Sequence, residues 1–135
     1  VIDDGLISDL DAARIQKVFA PKVQGAMHLD AATRDRPLDF FVVFSSATTV
    51  FGNPGQASYV AANRFLEYLV EHRRVKGLPA LAVSWGPIDD VGYLARNRGV
   101  GEALESRLGG RALSAKEALD TLAGYWRKTD RESRC

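Results

Sequence analysis

Two hydroxyl side chains, Ser46 and Tyr59, stand thirteen residues apart on either side of the loop ATTVFGNPGQA, and Asn63 follows Tyr59 by four positions. A serine hydroxyl donates a hydrogen bond and a phenol can surrender a proton, so the pair suits an oxygen atom that gains negative charge during a reaction. A free phenol titrates near pH 10. Tyr59 would therefore act more readily beside a cation or a hydrogen-bond network that favours its phenolate. Each residue also has a plainer reading by itself: a tyrosine opening a helix usually packs, and an asparagine on a helix is usually a polar surface group. Ser45, the neighbouring hydroxyl, is expected to bond to backbone at a strand end.

The elements that must position these groups can be read from periodicity. LDFFVVFSS is a continuous apolar run bounded by Pro37 and the double serine, and it suits a strand buried on both faces. From Ser58 to about Lys76 the apolar residues Val60, Ala61, Phe65, Leu66, Leu69 and Val70 return to helical spacing, so Tyr59 falls in a first helical turn. Gly77 ends that helix, with His72, Arg73, Arg74 and Lys76 near its negative end. PALAVSW is a second short strand, stopped by Gly86 and Pro87. Upstream, SDLDAARIQKVFAPKVQGAMHLDAAT has helical period, with Ser8 or Asp9 as the N-cap and a bend at Pro21.

Helix, strand, helix, strand implies an α/β fold with a parallel sheet covered by helices. In such sheets functional groups gather at the carboxyl ends of strands, where Ser46 and the Trp85-Gly86-Pro87 triplet fall. Residues 88–113 hold several glycines and short amphipathic pieces, as a lid would. Ser114 and Glu117 form a capping-box pattern opening a closing helix over 114–126, and 127–135 reads as a polar, frayed tail.

Composition narrows the possible partners. The 135 residues carry 18 basic and 17 acidic side chains with signs interspersed, which gives no electrostatic case for nucleic acid or an anionic membrane. No apolar run approaches the ~18–20 residues of a membrane span. The single cysteine, Cys135, has no partner for a disulfide and no neighbours at metal-ligand spacing. Neither His28 nor His72 has the neighbours for a catalytic role, Asp89-Asp90 reads as loop charge, and no metal is expected. A cytoplasmic setting fits this pattern.

The separation of Ser46 and Tyr59 resembles that of the short-chain dehydrogenase/reductase superfamily. Most members place a lysine four residues after the tyrosine, where this chain has Asn63. That departure, together with the blocks VIDDGLISDLDAARIQKVFAPKVQGA, FSSATTVFGNPGQASYVAANRFLEYL and HRRVKGLPALAVSWGP, resembles the ketoreductase domains of type I polyketide synthases. In that family the lysine comes from the preceding helix, and Lys22 in APKVQGAMHL takes its place.

The resemblance implies part of a Rossmann-like doubly wound parallel sheet and reduction of a beta-ketoacyl thioester by NADPH, the substrate being carried by an acyl carrier protein beside other domains of the synthase. By it, Tyr59 gives the proton, Ser46 polarises the carbonyl, and Lys22 with Asn63 organises the proton relay. Tyr59 and Lys22 also address the cofactor, and Trp85, Gly86 and Pro87 lie beside its nicotinamide.

The same family has stereochemical marks. B-type domains carry Leu-Asp-Asp, matched by Ile2-Asp3-Asp4 with one conservative change, although Asp3-Asp4 ahead of Gly5 also suits a turn and cap pair. The A-type tryptophan, eight residues before the tyrosine, is here Phe51, and the proline of epimerising B-type domains is here Ala61. The resemblance therefore implies a B-type D- or (3R)-hydroxyl product. Gln56, Tyr93 and Leu94 join Asp3, Asp4 and Phe51 as expected substrate-side positions.

No Gly-x-Gly-x-x-Gly turn follows a strand in these residues. The 135 residues are thus expected to form the catalytic portion of a ketoreductase without the N-terminal dinucleotide-binding half, with residues 1–87 as its core, and to be inactive alone. Two other classes fit less of the sequence. A scaffold relative has no need of the Ser46, Lys22, Tyr59 and Asn63 set, and a free-standing short-chain dehydrogenase would usually have lysine at position 63.

Overall fold

A computed structural model describes residues 1–96, 99, 105–106 and 110–132. The chain divides into two compact units, Val1–Ser84 and Trp85–Cys135. In the first, a single 3-10 turn at Ile7–Asp9 precedes α1 (Ala12–Phe19), a π-helical turn (Ala20–Gln24) and α2 (Gly25–Thr33). Strand β1 (Val42–Ser46), the short α3 (Thr48–Phe51), α4 (Ala57–Val75) and β2 (Leu81–Trp85, all but its last residue in this unit) follow. The two strands are neighbours in one parallel sheet, with α4 as the crossover between them.

Helix α1 starts later than its sequence suggests. Asp11 is the N-cap, its carboxylate accepting from the Arg14 amide at 2.8 Å, whereas Ser8 and Asp9 belong to the 3-10 turn region. Only Asp11 combines extended backbone with an oxygen three residues before a free amide. The expected bend at Pro21 takes a defined form. Proline cannot donate to the carbonyl four residues back, and the chain widens into the π turn, where the Gly25 amide reaches the Ala20 carbonyl. At the other end of the crossover, Gly77 adopts φ +71° and closes α4 with paired bonds, Gly77 N–H to the Arg74 carbonyl at 2.9 Å and Leu78 N–H to that of Arg73 at 3.0 Å.

The core of the first unit joins Ala26 of α2, Phe41 and Val43 of β1 and its approach, and Leu66, Leu69 and Val70 of α4. Within the described residues the helices cover one face of β1. Val43 and Ser45 turn toward the helices, but Phe44 on the opposite face is 49% exposed. Helices α2 and α4 pack on one side of the strand, so the residue alternation of a pleated strand divides the run between two environments.

An ion pair is buried within this core. Arg73 of α4 is 1% exposed; its guanidinium donates to Asp30 of α2 at 2.6 Å and stacks 4.0 Å from the Phe41 ring centroid. Burial pushes the Asp30 carboxyl up, but hydrogen bonds from Arg34 and Arg73 outweigh that effect and hold it below its ordinary value. The pair fixes α2, which follows Lys22, against α4, which carries Tyr59.

In the second unit, α5 (Gly92–Arg96) is short, and α6 runs from Ala115 to Glu132. Ser114 and Glu117 make the reciprocal bonds of a capping box: the Ser114 amide donates to Glu117 Oε2 at 2.9 Å, and the Glu117 amide to Ser114 Oγ at 3.2 Å. Asp90 adds a cap from outside the helix by accepting from the Ala115 amide at 2.7 Å. The backbone stays helical to Glu132, past the expected end at 126. Much of the expected lid region, 97–98, 100–104 and 107–109, lies outside the described residues. No described helix is long and apolar enough to cross a membrane, and the described residues contain no cluster of potential metal ligands.

Candidate active site

The carboxyl end of β1, the π turn and the first two turns of α4 converge on one side of the first unit. Lys22 leaves the π turn and donates from Nζ to the Phe44 carbonyl at 3.1 Å, while the same nitrogen lies 5.6 Å from the Tyr59 ring centroid. Burial pushes the Lys22 ammonium below its ordinary value, since the charge is partly desolvated and has only a carbonyl and an aromatic ring to replace water. An ammonium has three donors, and one is committed to Phe44.

Tyr59 is half-buried in the first turn of α4. Directly beneath it, Asn63 is fully buried and donates from Nδ2 to the Tyr59 carbonyl at 2.9 Å. Its Oδ1 is buried with no hydrogen-bond partner among the described residues. Ser46 ends β1, and its Oγ accepts from the Thr48 amide at 3.3 Å and from Thr48 Oγ1 at 3.0 Å. Both bonds use the serine as acceptor and leave its proton to be donated elsewhere.

A carboxylate unmarked in the sequence organises the surrounding hydroxyls. Glu67, one turn beyond Asn63 on α4, accepts from Ser45 Oγ at 2.6 Å, Thr49 Oγ1 at 2.8 Å, Ser84 Oγ at 3.0 Å and Arg64 at 2.7 Å. Burial pushes its carboxyl up, yet these donors together hold it below the ordinary value. Ser45 thus reaches a carboxylate rather than backbone alone, with the Asn63 carbonyl at a longer 3.4 Å. The four-residue step from Asn63 to Glu67 was the available signal, because it places both on one helical face.

Asp3 and Asp4 are also placed near this end of α4. Asp4 Oδ2 accepts from Gln56 Nε2 at 2.9 Å, and Gln56 is the N-cap residue of α4, three positions before Tyr59. Asp3 is held by Arg14 and Lys17 of α1. Phe51 lies on α3 and is 64% exposed. Trp85, Gly86, Pro87 and Leu94 are half-buried in the second unit, where the Pro87 carbonyl accepts from the Leu113 amide at 2.9 Å. The side chain of Tyr93 lies outside the described residues.

Helices packed on a parallel strand pair, with hydroxyls at a strand end and a helix start, are the geometry of a Rossmann-like domain of the short-chain dehydrogenase/reductase type. Solved ketoreductases of that fold superpose closely. A structure described as an A1-type ketoreductase matches with a TM-score of 0.82 and 39% identity over 89% of this chain and 25% of that one. The first ketoreductase of the tylosin polyketide synthase matches at 0.79 with 43% identity, over 90% of this chain and 26% of that one.

Among curated proteins, polyketide synthase GfsA of Streptomyces halstedii is 44% identical over 91% of this chain and 2% of its own length. The spectinabilin polyketide synthase system protein NorB of Streptomyces orinoci is 50% identical over 70% of this chain and 4% of its own. The family model for the KR domain matches residues 1–90. The chain belongs to the ketoreductase domain family of polyketide synthases.

Proposed function

We propose that this chain carries the proton-delivering residues of an NADPH-dependent ketoreductase acting on beta-ketoacyl thioesters held by an acyl carrier protein within a multidomain synthase. The observation that carries this reading is the approach of Lys22 Nζ to the Tyr59 ring, 5.6 Å from its centroid, across the end of β1. The donor set fits a dinucleotide: two Lys22 protons remain for ribose hydroxyls, and the Tyr59 hydroxyl adds a third donor. Trp85, Gly86 and Pro87 would lie along the nicotinamide. Bound NADPH supplies the hydride that the carbonyl carbon accepts.

This chain's residues act at the carbonyl oxygen. Ser46 donates a hydrogen bond to it, favouring the charge that develops as the C=O pair moves onto oxygen. The Tyr59 O–H bond breaks and its proton completes the hydroxyl. The Lys22 ammonium stabilises the phenolate left behind and supports its reprotonation. Asn63 braces the first turn of α4 through the Tyr59 carbonyl, so the phenol holds its aim at the strand end. The product is a beta-hydroxyacyl thioester.

We assign the B-type, D- or (3R)-hydroxyl, outcome from Ile2-Asp3-Asp4, with Phe51 in the A-type tryptophan position and Ala61 in that of the epimerising proline. Superposition on an A1-type domain does not oppose this, because overall backbone similarity is insensitive to a tripeptide and single side chains.

Replacing Tyr59 with Phe in the complete domain tests the assignment. Turnover is expected to fall by about 10²–10⁴-fold, the usual worth of a positioned proton donor. Turnover equal to that of the parent would remove Tyr59 from the role.

A further inference from the structure

The segment before α1 is tied down by one side chain to an unusual degree. Arg14 donates from Nε and from one terminal nitrogen to Asp3 Oδ1, at 2.9 and 2.7 Å. The same terminal nitrogen reaches the Asp4 carbonyl at 2.7 Å, and the other reaches the Asp9 carbonyl at 3.0 Å. Lys17, one turn further along α1, takes the second oxygen of Asp3 at 2.9 Å.

The segment so held then meets the turn that opens α4. The Gly5 amide donates to the Gly55 carbonyl at 2.8 Å, and Asp4 accepts from the buried Gln56 side chain. Two glycines make the close approach possible. A Cβ on Gly5 would lie 2.8 Å from both terminal nitrogens of Arg14, and Gly55 adopts φ +78°, a left-handed conformation that L side chains rarely take. The Gln56 carbonyl in turn accepts from the Val60 amide at 2.8 Å, in the same helical turn as Tyr59. Arg14 therefore acts on the proton donor's surroundings through two layers of hydrogen bonds.

We propose that Arg14 is a positioning residue for stereochemical choice: its guanidinium locks Asp3-Asp4-Gly5 against the Gly55-Gln56 turn, fixing the wall beside Tyr59 along which the beta-ketoacyl arm must lie. This rests on the reductase reading above. A planar fork suits the task because it meets a carboxylate and two carbonyls in different directions at once, which a single ammonium cannot do. With the wall fixed, one face of the carbonyl is presented opposite the phenol. With it loose, the arm can lie on either side and the hydroxyl epimers approach equality, while Ser46, Lys22, Tyr59 and Asn63 keep their own bonds.

The test uses the complete ketoreductase domain that contains this chain, with NADPH and a 3-oxoacyl N-acetylcysteamine thioester as probe, and resolves the hydroxyl epimers by chiral chromatography. Arg14→Ala is expected to lower the major-to-minor ratio about tenfold, with Arg14→Lys in between. Gly5→Ala keeps Arg14 but intrudes on its guanidinium, and is expected to erode the ratio in the same direction. Faster hydrogen exchange of the Gly5 amide should accompany both changes. An unchanged epimer ratio in folded Arg14→Ala and Gly5→Ala, beside normal reduction by the parent, would overturn the inference and leave the reductase assignment standing. Absence of any reduction by the unsubstituted parent would overturn both.

Discussion

Replacing Asp30 with Asn should destabilise the complete domain far more than an ordinary surface charge change. Arg73 lies in the core at 1% exposure, and Asp30 at 8% is the carboxylate that compensates its charge. Asparagine preserves an oxygen acceptor at nearly the same place but removes the negative charge, leaving a guanidinium buried beside Phe41 and the Pro79 carbonyl. Removing one partner of a buried pair typically costs about 3–5 kcal/mol. The Phe41 ring retains attraction of about 0.5–2 kcal/mol for the cation, which places the expected loss near the lower end, about 3 kcal/mol.

Arg73→Met should cost less, because Asp30 keeps its 2.8 Å bond to Arg34, a side chain half exposed to water. The double replacement Asp30→Leu with Arg73→Met removes both charges and should recover most of the loss. Equilibrium urea unfolding, followed by circular dichroism, measures each difference. The pH dependence has a fixed sign. The Asp30 carboxyl is depressed in the folded state, so its contribution is present above the ordinary carboxylate value of 3.8 and is lost as pH falls through the lower folded value. Asp30→Asn should flatten that acid limb. A cost below about 0.5 kcal/mol, within the range of neutral surface substitutions, would refute the argument that Asp30 compensates a buried charge.

Two further outcomes follow from the carboxylates of α4 and α6. Glu67→Ala strips the acceptor from Ser45, Thr49 and Ser84 and should lower stability by about 1–3 kcal/mol in thermal or denaturant unfolding, whereas Glu67→Gln, which keeps an acceptor, should cost less. Equal losses for both would show that charge, not hydrogen bonding, governs the site. Glu117 is pulled down to about 2 by the Arg111 guanidinium and by the amide and hydroxyl of Ser114. The α6 cap should therefore hold above the ordinary glutamate value of 4.5 and open as pH falls toward 2, seen as faster exchange of the Ser114 amide. Glu117→Gln should abolish that dependence; a midpoint that does not move would contradict the assignment.

Much of the local structure was legible because its causes lie within a few residues. The apolar run before Ser46 and the helical spacing after Tyr59 gave the strand and helix that face one another. Gly77 at the end of α4 and the Ser114-Glu117 box at the start of α6 were readable for the same reason, since caps are made by atoms three to five residues apart. The thirteen-residue spacing and Asn63 narrow the family from sequence alone. Even so, the cap of α1 fell on Asp11 rather than Ser8 or Asp9, because backbone conformation chooses among several eligible oxygens.

The sequence by itself determined the spacing of Ser46, Tyr59 and Asn63 and the local elements that carry them. Tertiary structure decided which distant groups meet. Lys22 leaves the π turn that contains Pro21, and its ammonium lies over the Tyr59 ring of a helix more than thirty residues away in sequence. Arg14, Asp30, Glu67 and Arg73 look like interchangeable charges among the 35 in the chain. Their partners are chosen by packing across tens of residues, where chain closure and burial, rather than periodicity, set the energy. That choice ties the first segment to the turn that opens α4, buries an ion pair at the helix's far end and gathers three hydroxyls on Glu67 between them.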